Sequence, residues 1–284
     1  MKDWQDCFNR PLALKLYVIH TGNVHMAGKI HYNPKSPDFR SRPDDKRFNP
    51  VLTYLVEHPL KGYILLDTGI HPSFALHRTG NFGWLLGRIV QIKTSNGLDV
   101  PSQLKRIGLS VKEITTVILS HLHLDHLGGL PLLAHNDTLV VHADTKELAI
   151  ARSSLGLLKG YIGKHIRGVT VTEFDYSMSL PPFDRVCDLF GDQSIWVVGT
   201  PGHTPGHVSV ILNMHQGPFL LTFDAAHRAS NIEDMIPPKG DYEQGLKSLK
   251  SIKSFLKEFP TARVIYSHDP DQISRLKTLP EYYE

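Results

Sequence analysis

The chain has 284 residues, 41% hydrophobic and 21% charged, the balance of a soluble folded protein and not of a disordered or fibrous one. Its formal net charge is +3, with Lys and Arg scattered and no dense basic run, which argues against a nucleic-acid partner. Only two cysteines occur, Cys7 and Cys187, too few to staple a chain of this size, so reduced thiols and a cytoplasmic setting are expected. The first six residues lack the basic start and apolar core of a signal peptide, and no apolar run reaches the ~18–20 residues that span a bilayer.

Residues 13–19, 51–56 and 62–66 are rich in Leu, Val, Ile and Tyr and read as three strands. Between the first two, the polar, proline-bearing stretch 33–50 has no periodicity and is expected as a long surface loop, a kind that often carries function. Asp67-Thr68-Gly69 ends the third strand in a tight turn. Phe82, Trp84, Leu85, Leu86, Ile89 and Ile92 recur at roughly helical spacing, the stripe of a helix that either packs on the core or walls a pocket. Asp99 or Ser102 caps a helix through Leu104 and Ile107 that Gly108 closes, and Ser110-Val111-Lys112-Glu113 has the form of a capping box. Thr115-Thr116-Val117-Ile118 is the next strand.

Further strands are expected at 138–142, 169–174, 194–198, 208–212, 219–223 and 264–266. Helices are expected at 145–153 and, most strongly, at 242–259, where Leu246, Leu249, Ile252, Phe255 and Leu256 share one stripe. No internal repeat is visible. Strands clustered in two halves, each followed by helices, predict an α+β chain: two sheets face to face with helices outside, residues 1–284 forming one domain.

Ser120-His121-Leu122-His123-Leu124-Asp125-His126 places three imidazoles and a carboxylate directly after a strand. Four such groups are too many to leave unpaired in a protein interior, and a metal is the simplest partner. The N/O donor set suits zinc, with cobalt, iron or manganese as alternatives. Three later strand ends carry similar chemistry: Thr200-Pro201-Gly202-His203-Thr204-Pro205-Gly206-His207, Phe223-Asp224-Ala225-Ala226, and Tyr266-Ser267-His268-Asp269. Rigid sheets present such side chains to one edge.

On these motifs the chain resembles the metallo-β-lactamase superfamily, and within it the N-acyl-homoserine lactone lactonases. Leu221-Thr222-Phe223-Asp224-Ala225, Asn231-Ile232-Glu233-Asp234 and the terminal Pro280-Glu281-Tyr282-Tyr283 narrow the resemblance to that group. It implies an αββα sandwich of two mixed β-sheets flanked by helices, with a dinuclear metal site at one edge. It implies that His121, His123 and His203 hold one metal, that Asp125, His126 and His268 hold the other, and that Asp224 bridges them. The implied reaction opens the lactone ring of an N-acyl-homoserine lactone, as in quorum quenching, through attack by a metal-bridging hydroxide. Asp125 is a candidate for protonating the leaving oxygen. Another hydrolase on the same fold, acting on a different lactone, a thioester or a phosphotriester, is the alternative.

Several positions are left open. His227 stands where the better-known relatives have a tyrosine that donates to substrate; an imidazole can donate too, unless it points away. Asp67 either orients a ligand histidine or simply ends a strand. His207 is expected to be structural, and His31 and the other histidines to be surface or ordinary structural residues, though His25 could approach the mouth of the site. Met26, Phe82, Trp84, Leu85 and Leu124 are candidate contacts for an acyl tail. The 81–92 segment either enlarges that wall or packs against a partner subunit in a homodimer.

Overall fold

Strand β1 (Lys15–His25) shows how the layers arise. Leu16 and Val18 pack in one buried cluster, while Tyr17 and Ile19 pack in another on the opposite face. This two-residue alternation turns one face of the strand toward the middle of the molecule and the other toward a helical layer. Strand β2 (Phe48–His58) repeats it, with Leu52, Tyr54 and Val56 inward and Leu55 outward.

The computed structural model describes residues 3–284 apart from 27, 45, 78, 80–83, 85–87, 89, 90, 134, 135, 154 and 155. β1 and β2 belong to a seven-stranded sheet with β3 (Gly62–Leu66), β4 (Gln91–Lys93), β5 (Ile114–Ile118), β6 (Val140–His142) and β7 (Val171–Thr172), in the order β4-β1-β2-β3-β5-β6-β7. A six-stranded sheet contains β8 (Met178–Leu180), β9 (Phe183–Asp188), β10 (Ile195–Gly199), β11 (Val208–Met214), β12 (Gly217–Phe223) and β13 (Arg263–Tyr266), in the order β13-β12-β11-β10-β9-β8. Both sheets are mixed. The neighbours β3-β5, β5-β6, β6-β7 and β12-β13 run parallel, and the other pairs run antiparallel.

The inner faces meet through Val18, Tyr54, Leu66, Val197, Val210 and Leu221. Outside the first sheet, Val100 and Leu104 of the helix Val100–Arg106 cover Ile19, Leu55 and Leu65. Outside the second, Leu249, Ile252 and Phe255 of the helix Tyr242–Glu258 join Trp4 over Trp196, Ile211 and Leu220. The result is two mixed sheets flanked by helices, as expected.

The helix ends follow local chemistry. Asp99 caps Val100–Arg106 by accepting from the Ser102 amide, and Gly108 turns the chain away with φ +79°. The Ser110–Glu113 capping box is present around a single 3-10 turn.

Three local expectations need correction. The stretch 33–50 is largely an exposed surface segment, as expected, but it ends sooner, since β2 already begins at Phe48, and it is anchored at its start, where Asn33 and Ser36 are buried and Asn33 bonds to the carbonyls of Pro238 and Gly240. Ile92 lies in β4, paired with Val24, so the helical stripe does not extend to it; Phe82, Leu85, Leu86 and Ile89 lie outside the described residues. The strand expected at 169–174 shrinks to Val171–Thr172. Strands β8 and β9 and the short helix Trp4–Phe8 have too little periodicity to be read from sequence.

Candidate metal centre

The motif-bearing segments follow the C-terminal ends of β3, β5, β10, β12 and β13, and the backbone is bent sharply where it delivers them. Asp67 and Phe223 both adopt left-handed conformations, with φ +57° and +45°. For non-glycine residues this costs on the order of 1–3 kcal/mol each, and it swings Asp67 and Asp224 out of the strand direction. Two glycines permit close approaches. A Cβ on Gly129 would lie 2.2 Å from the Thr68 carbonyl oxygen, and one on Gly202 would lie 2.4 Å from Gly245 Cα. The first contact seats the histidine motif on the 67–69 turn, and the second seats the His203 loop on the start of the long helix.

Seven donors converge at this edge. His123 Nδ1 is 3.0 Å from both His121 Nε2 and His203 Nε2. Asp224 stands between two groups: its Oδ2 is 3.2 Å from His203 Nε2 and 3.8 Å from His121 Nε2. Its Oδ1 is 3.3 Å from both His126 Nε2 and His268 Nε2, and Asp125 Oδ2 is 3.5 Å from His268 Nε2. The atoms of each group lie within 4.8 Å of one another.

The surrounding acceptors decide which nitrogen of each ring keeps its proton. His268 Nδ1 donates to the Pro50 carbonyl at 2.8 Å, and His203 Nδ1 donates to the Lys239 carbonyl at 3.0 Å. His126 Nδ1 donates to Asp67 Oδ2 at 2.6 Å. Ser120 Oγ donates to the same carboxylate at 2.7 Å and so accepts from His121 Nδ1 at 3.1 Å. In all four rings a lone pair on Nε2 then faces the centre.

Lone pairs facing carboxylate oxygens repel unless a cation lies between them. His126 Nε2 and His268 Nε2 are fully buried and make no hydrogen bond, although Asp224 is near both. That pattern fits a pair of divalent cations.

The electrostatics agree. Burial pulls His121, His123 and His203 below the ordinary imidazole value, so they stay neutral. Burial also opposes charge on His126 and His268, yet the carboxylates of Asp224 and Asp125 outweigh it and raise both, with Asp67 adding to the effect on His126. Burial likewise opposes charge on Asp224, but His268, His227 and His126 hold its carboxyl well below the usual range. A site that draws protons onto ligand-type nitrogens is a site of negative potential.

A second ring of contacts holds the donors. Asp67 accepts from the Ser120 amide at 2.7 Å as well as from His126, which favours the orienting role over a bare turn. His207 bonds to Thr200 Oγ1 through Nδ1 and accepts the Asp224 amide on Nε2 at 3.0 Å, so it anchors that strand end. Glu147, fully buried, accepts from Gly206 N at 2.8 Å, Tyr161 OH at 2.9 Å and Leu122 N at 3.3 Å, joining both histidine loops. His207 thus has the structural role expected of it, whereas Glu147 carries no motif that announces its part.

His227 points inward: its Nε2 is 3.1 Å from Asp224 Oδ2. Burial lowers its pKa to about 4 despite the nearby carboxylate. His31, expected to be surface or ordinary structural, is fully buried and lies 3.0 Å from His227 through Nδ1 of each ring. His25 packs edge-on against Phe48.

Of the expected acyl contacts, Met26 and Leu124 pack against the cluster of Val24, Val51, Ile70, Phe74, Ile92 and Ile162. Trp84 is 66% exposed, with the Arg88 guanidinium 4.1 Å from its ring centre. Phe82 and Leu85 lie outside the described residues. Beside His123, whose ring meets Tyr161 edge-on, a surface cleft of about 480 Å³ is lined by Tyr161, Ile162, Leu157 and Ile166 among others.

Comparison with known proteins places this arrangement. The model of the metallo-beta-lactamase superfamily matches residues 47–268. An N-acyl homoserine lactonase of a Bacillus species is 32% identical over 261 residues, covering 90% of this chain and 96% of the relative. The N-acyl homoserine lactonase AiiA of Bacillus thuringiensis subsp. kurstaki is 33% identical over 237 residues, covering 82% of this chain and 86% of that protein. An N-acyl homoserine lactone hydrolase, solved with the product N-hexanoyl-L-homoserine at its catalytic metal centre, superposes with a TM-score of 0.76 at 27% identity. That superposition covers 96% of this chain and all of the other. The chain belongs to the metallo-β-lactamase superfamily, within its group of N-acyl homoserine lactonases.

Proposed function

We propose that this protein is a hydrolase that opens the lactone ring of N-acyl-homoserine lactones, the reaction named for its relatives. The observation that carries the reading is the division of Asp224: one carboxylate oxygen faces the His121–His123–His203 group and the other faces His126 and His268. His121, His123 and His203 would hold one divalent cation, Asp125, His126 and His268 a second, and Asp224 would bridge them. Zinc suits this nitrogen and oxygen set, although cobalt, iron and manganese compete for it. Bound there, two such ions would polarise an ester carbonyl and make a water molecule between them acidic enough to ionise near neutral pH.

Five neutral imidazoles and two carboxylates would offset half of the 4+ charge of two such ions and leave the centre electrophilic. His227 Nε2, 3.1 Å from Asp224 Oδ2, would donate a hydrogen bond to the reacting ester group. Asp125, whose Oδ2 lies 3.5 Å from His268 Nε2, would take the proton released by the attacking water and return it to the departing ring oxygen. No serine or cysteine nucleophile is needed; burial pushes the Cys187 thiol up to about 11, away from reactivity. Met26 and Leu124, packed on the cluster that contains Ile162, and the cleft that Ile162 helps to line support binding of an acyl tail, with Arg152, Lys164 and Arg167 on the cleft's polar side.

Among the described residues no helix is long and apolar enough to cross a membrane. We place the enzyme in the cytoplasm, consistent with two buried thiols, and take residues 1–284 as one domain. Ring opening of acyl lactones of several chain lengths, run beside a thioester and a phosphotriester, tests the assignment. Lactones should be turned over at least tenfold faster in kcat/KM, a difference of about 1.4 kcal/mol. Preference for either control substrate refutes it.

A further inference from the structure

His227 poses a choice that distance alone does not settle. Its Nε2 lies with Asp224 and His268 in a third group of donors close enough to hold a metal. A ring nitrogen can bind a cation only through a lone pair, and can donate to substrate only if it carries a proton. The position of one proton therefore decides between ligand and donor.

We infer that His31, itself held by Arg228, is a positioning residue that keeps the proton of His227 on Nε2. The chain of contacts begins at a group that cannot accept. Arg228 Nη2 spans His31 Nε2 at 3.1 Å and Asn49 Oδ1 at 2.6 Å, and a guanidinium has only donors. The Asn49 amide is oriented independently, because its Nδ2 donates to the Arg47 carbonyl at 3.0 Å. His31 Nε2 must then offer a lone pair, so the ring proton of His31 sits on Nδ1.

That proton points at His227 Nδ1, 3.0 Å away, with the two rings nearly perpendicular at 87°. His227 Nδ1 accepts it, which leaves the His227 proton on Nε2, beside Asp224 Oδ2 at 3.1 Å. A doubly protonated His227 would set two N–H groups against each other. The polarity is the reverse of that in His203 and His268, which give their Nδ1 protons to backbone carbonyls and turn lone pairs inward.

Asn231 holds the relay together. Its Nδ2 donates to the His31 carbonyl at 2.7 Å, and its Oδ1 accepts the Arg228 amide at 2.9 Å. His31 thus makes His227 a donor and withholds it from the metal set. The inference rests on the reading of His227 as a substrate-facing donor, yet it concerns the tautomer and is read separately from turnover.

The test is nitrogen NMR of the zinc-loaded protein carrying 15N-labelled histidine. His227 should show a protonated Nε2 and a bare Nδ1, and His31 the reverse. In His31→Leu the His227 proton should move to Nδ1 or divide between the nitrogens, while kcat falls by about tenfold, the worth of one hydrogen bond, and KM changes little. His31→Gln should restore the spectrum, since its carbonyl can accept from Arg228 and its amide can donate to His227. Should the leucine variant not fold, Arg228→Met removes the donor at the head of the relay and should mix the His227 tautomers in the same way. A wild-type His227 with Nε2 bound to zinc, or an Nε2–H tautomer unchanged in both variants, overturns the inference. A changed tautomer with unchanged kcat upholds it and removes the donor role assigned to His227 above.

Discussion

Glu147 ties the two histidine loops together, and replacing it by glutamine should weaken both the fold and the metal site. The carboxylate is fully buried and receives three donors: Gly206 N at 2.8 Å, Tyr161 OH at 2.9 Å and Leu122 N at 3.3 Å. Leu122 sits between His121 and His123, and Gly206 belongs to the loop that carries His203. Glutamine keeps the volume but turns an NH2 group toward a donor, so at least one buried amide or hydroxyl loses its acceptor. Hydrogen bonds to a charged acceptor contribute about 1.5–3 kcal/mol, and a stranded buried donor costs about 1–3 kcal/mol. Because the Leu122 contact is long, Glu147→Gln should lose roughly 2–4 kcal/mol in all. Urea unfolding of the metal-stripped protein measures that term free of ligation. Zinc competition with a chelator measures the second effect, a loss of affinity of about 10–100-fold expected when support of ligand residues is removed. An unchanged urea midpoint together with unchanged zinc affinity would refute the reasoning.

Three further outcomes follow from the geometry. Asp67→Asn removes the carboxylate that accepts directly from His126 and, through Ser120 Oγ, sets His121; it should lower affinity for the second metal by about 10–100-fold and for the first by less, and a larger loss at the first site would contradict this. His227→Ala should lower kcat by about 10–100-fold for a lost transition-state donor while two metals per chain remain; unchanged kinetics would show that His227 takes no part. His165, stacked on Phe74 and bonded to the Gly128 carbonyl, has its pKa pulled down by burial to about 4 from an ordinary 6.5. The unfolded chain therefore takes up the proton first, so this contribution is fully present above pH 6.5 and is lost as pH falls toward 4. Urea midpoints compared between pH 7 and pH 5 should fall less in His165→Gln than in the parent; equal falls would count against the assignment.

What could be read from sequence was local. His121, His123, Asp125 and His126 share one turn after a strand, so their convergence needs no knowledge of the rest of the chain. His203, Asp224 and His268 were legible because each follows an apolar strand-like run within a short motif that the family resemblance picks out. The strands β2, β11 and β12 are visible as apolar runs, but which residues face inward and which outward is settled only by the packing of the sheets. The supporting residues were not legible, for a physical reason. His31 meets His227 across 196 residues, and Glu147 reaches Gly206 across 59, through contacts that leave no spacing signature. The stretch 33–50 is legible as a loop up to β2, but its anchoring through Asn33 on carbonyls near 238–240 is not, because only the tertiary fold brings those groups close. Short strands such as β8 and β9 are held by their neighbours more than by their own pattern.

The central claim is that one carboxylate, Asp224, joins six other donors into two metal sites that act together on a lactone. Stepwise addition of zinc to the metal-stripped protein, with lactone opening measured at each step, tests it most directly. Activity should stay low through the first equivalent per chain and reach its plateau only with the second. Full turnover at one equivalent, or turnover without added metal, would contradict it.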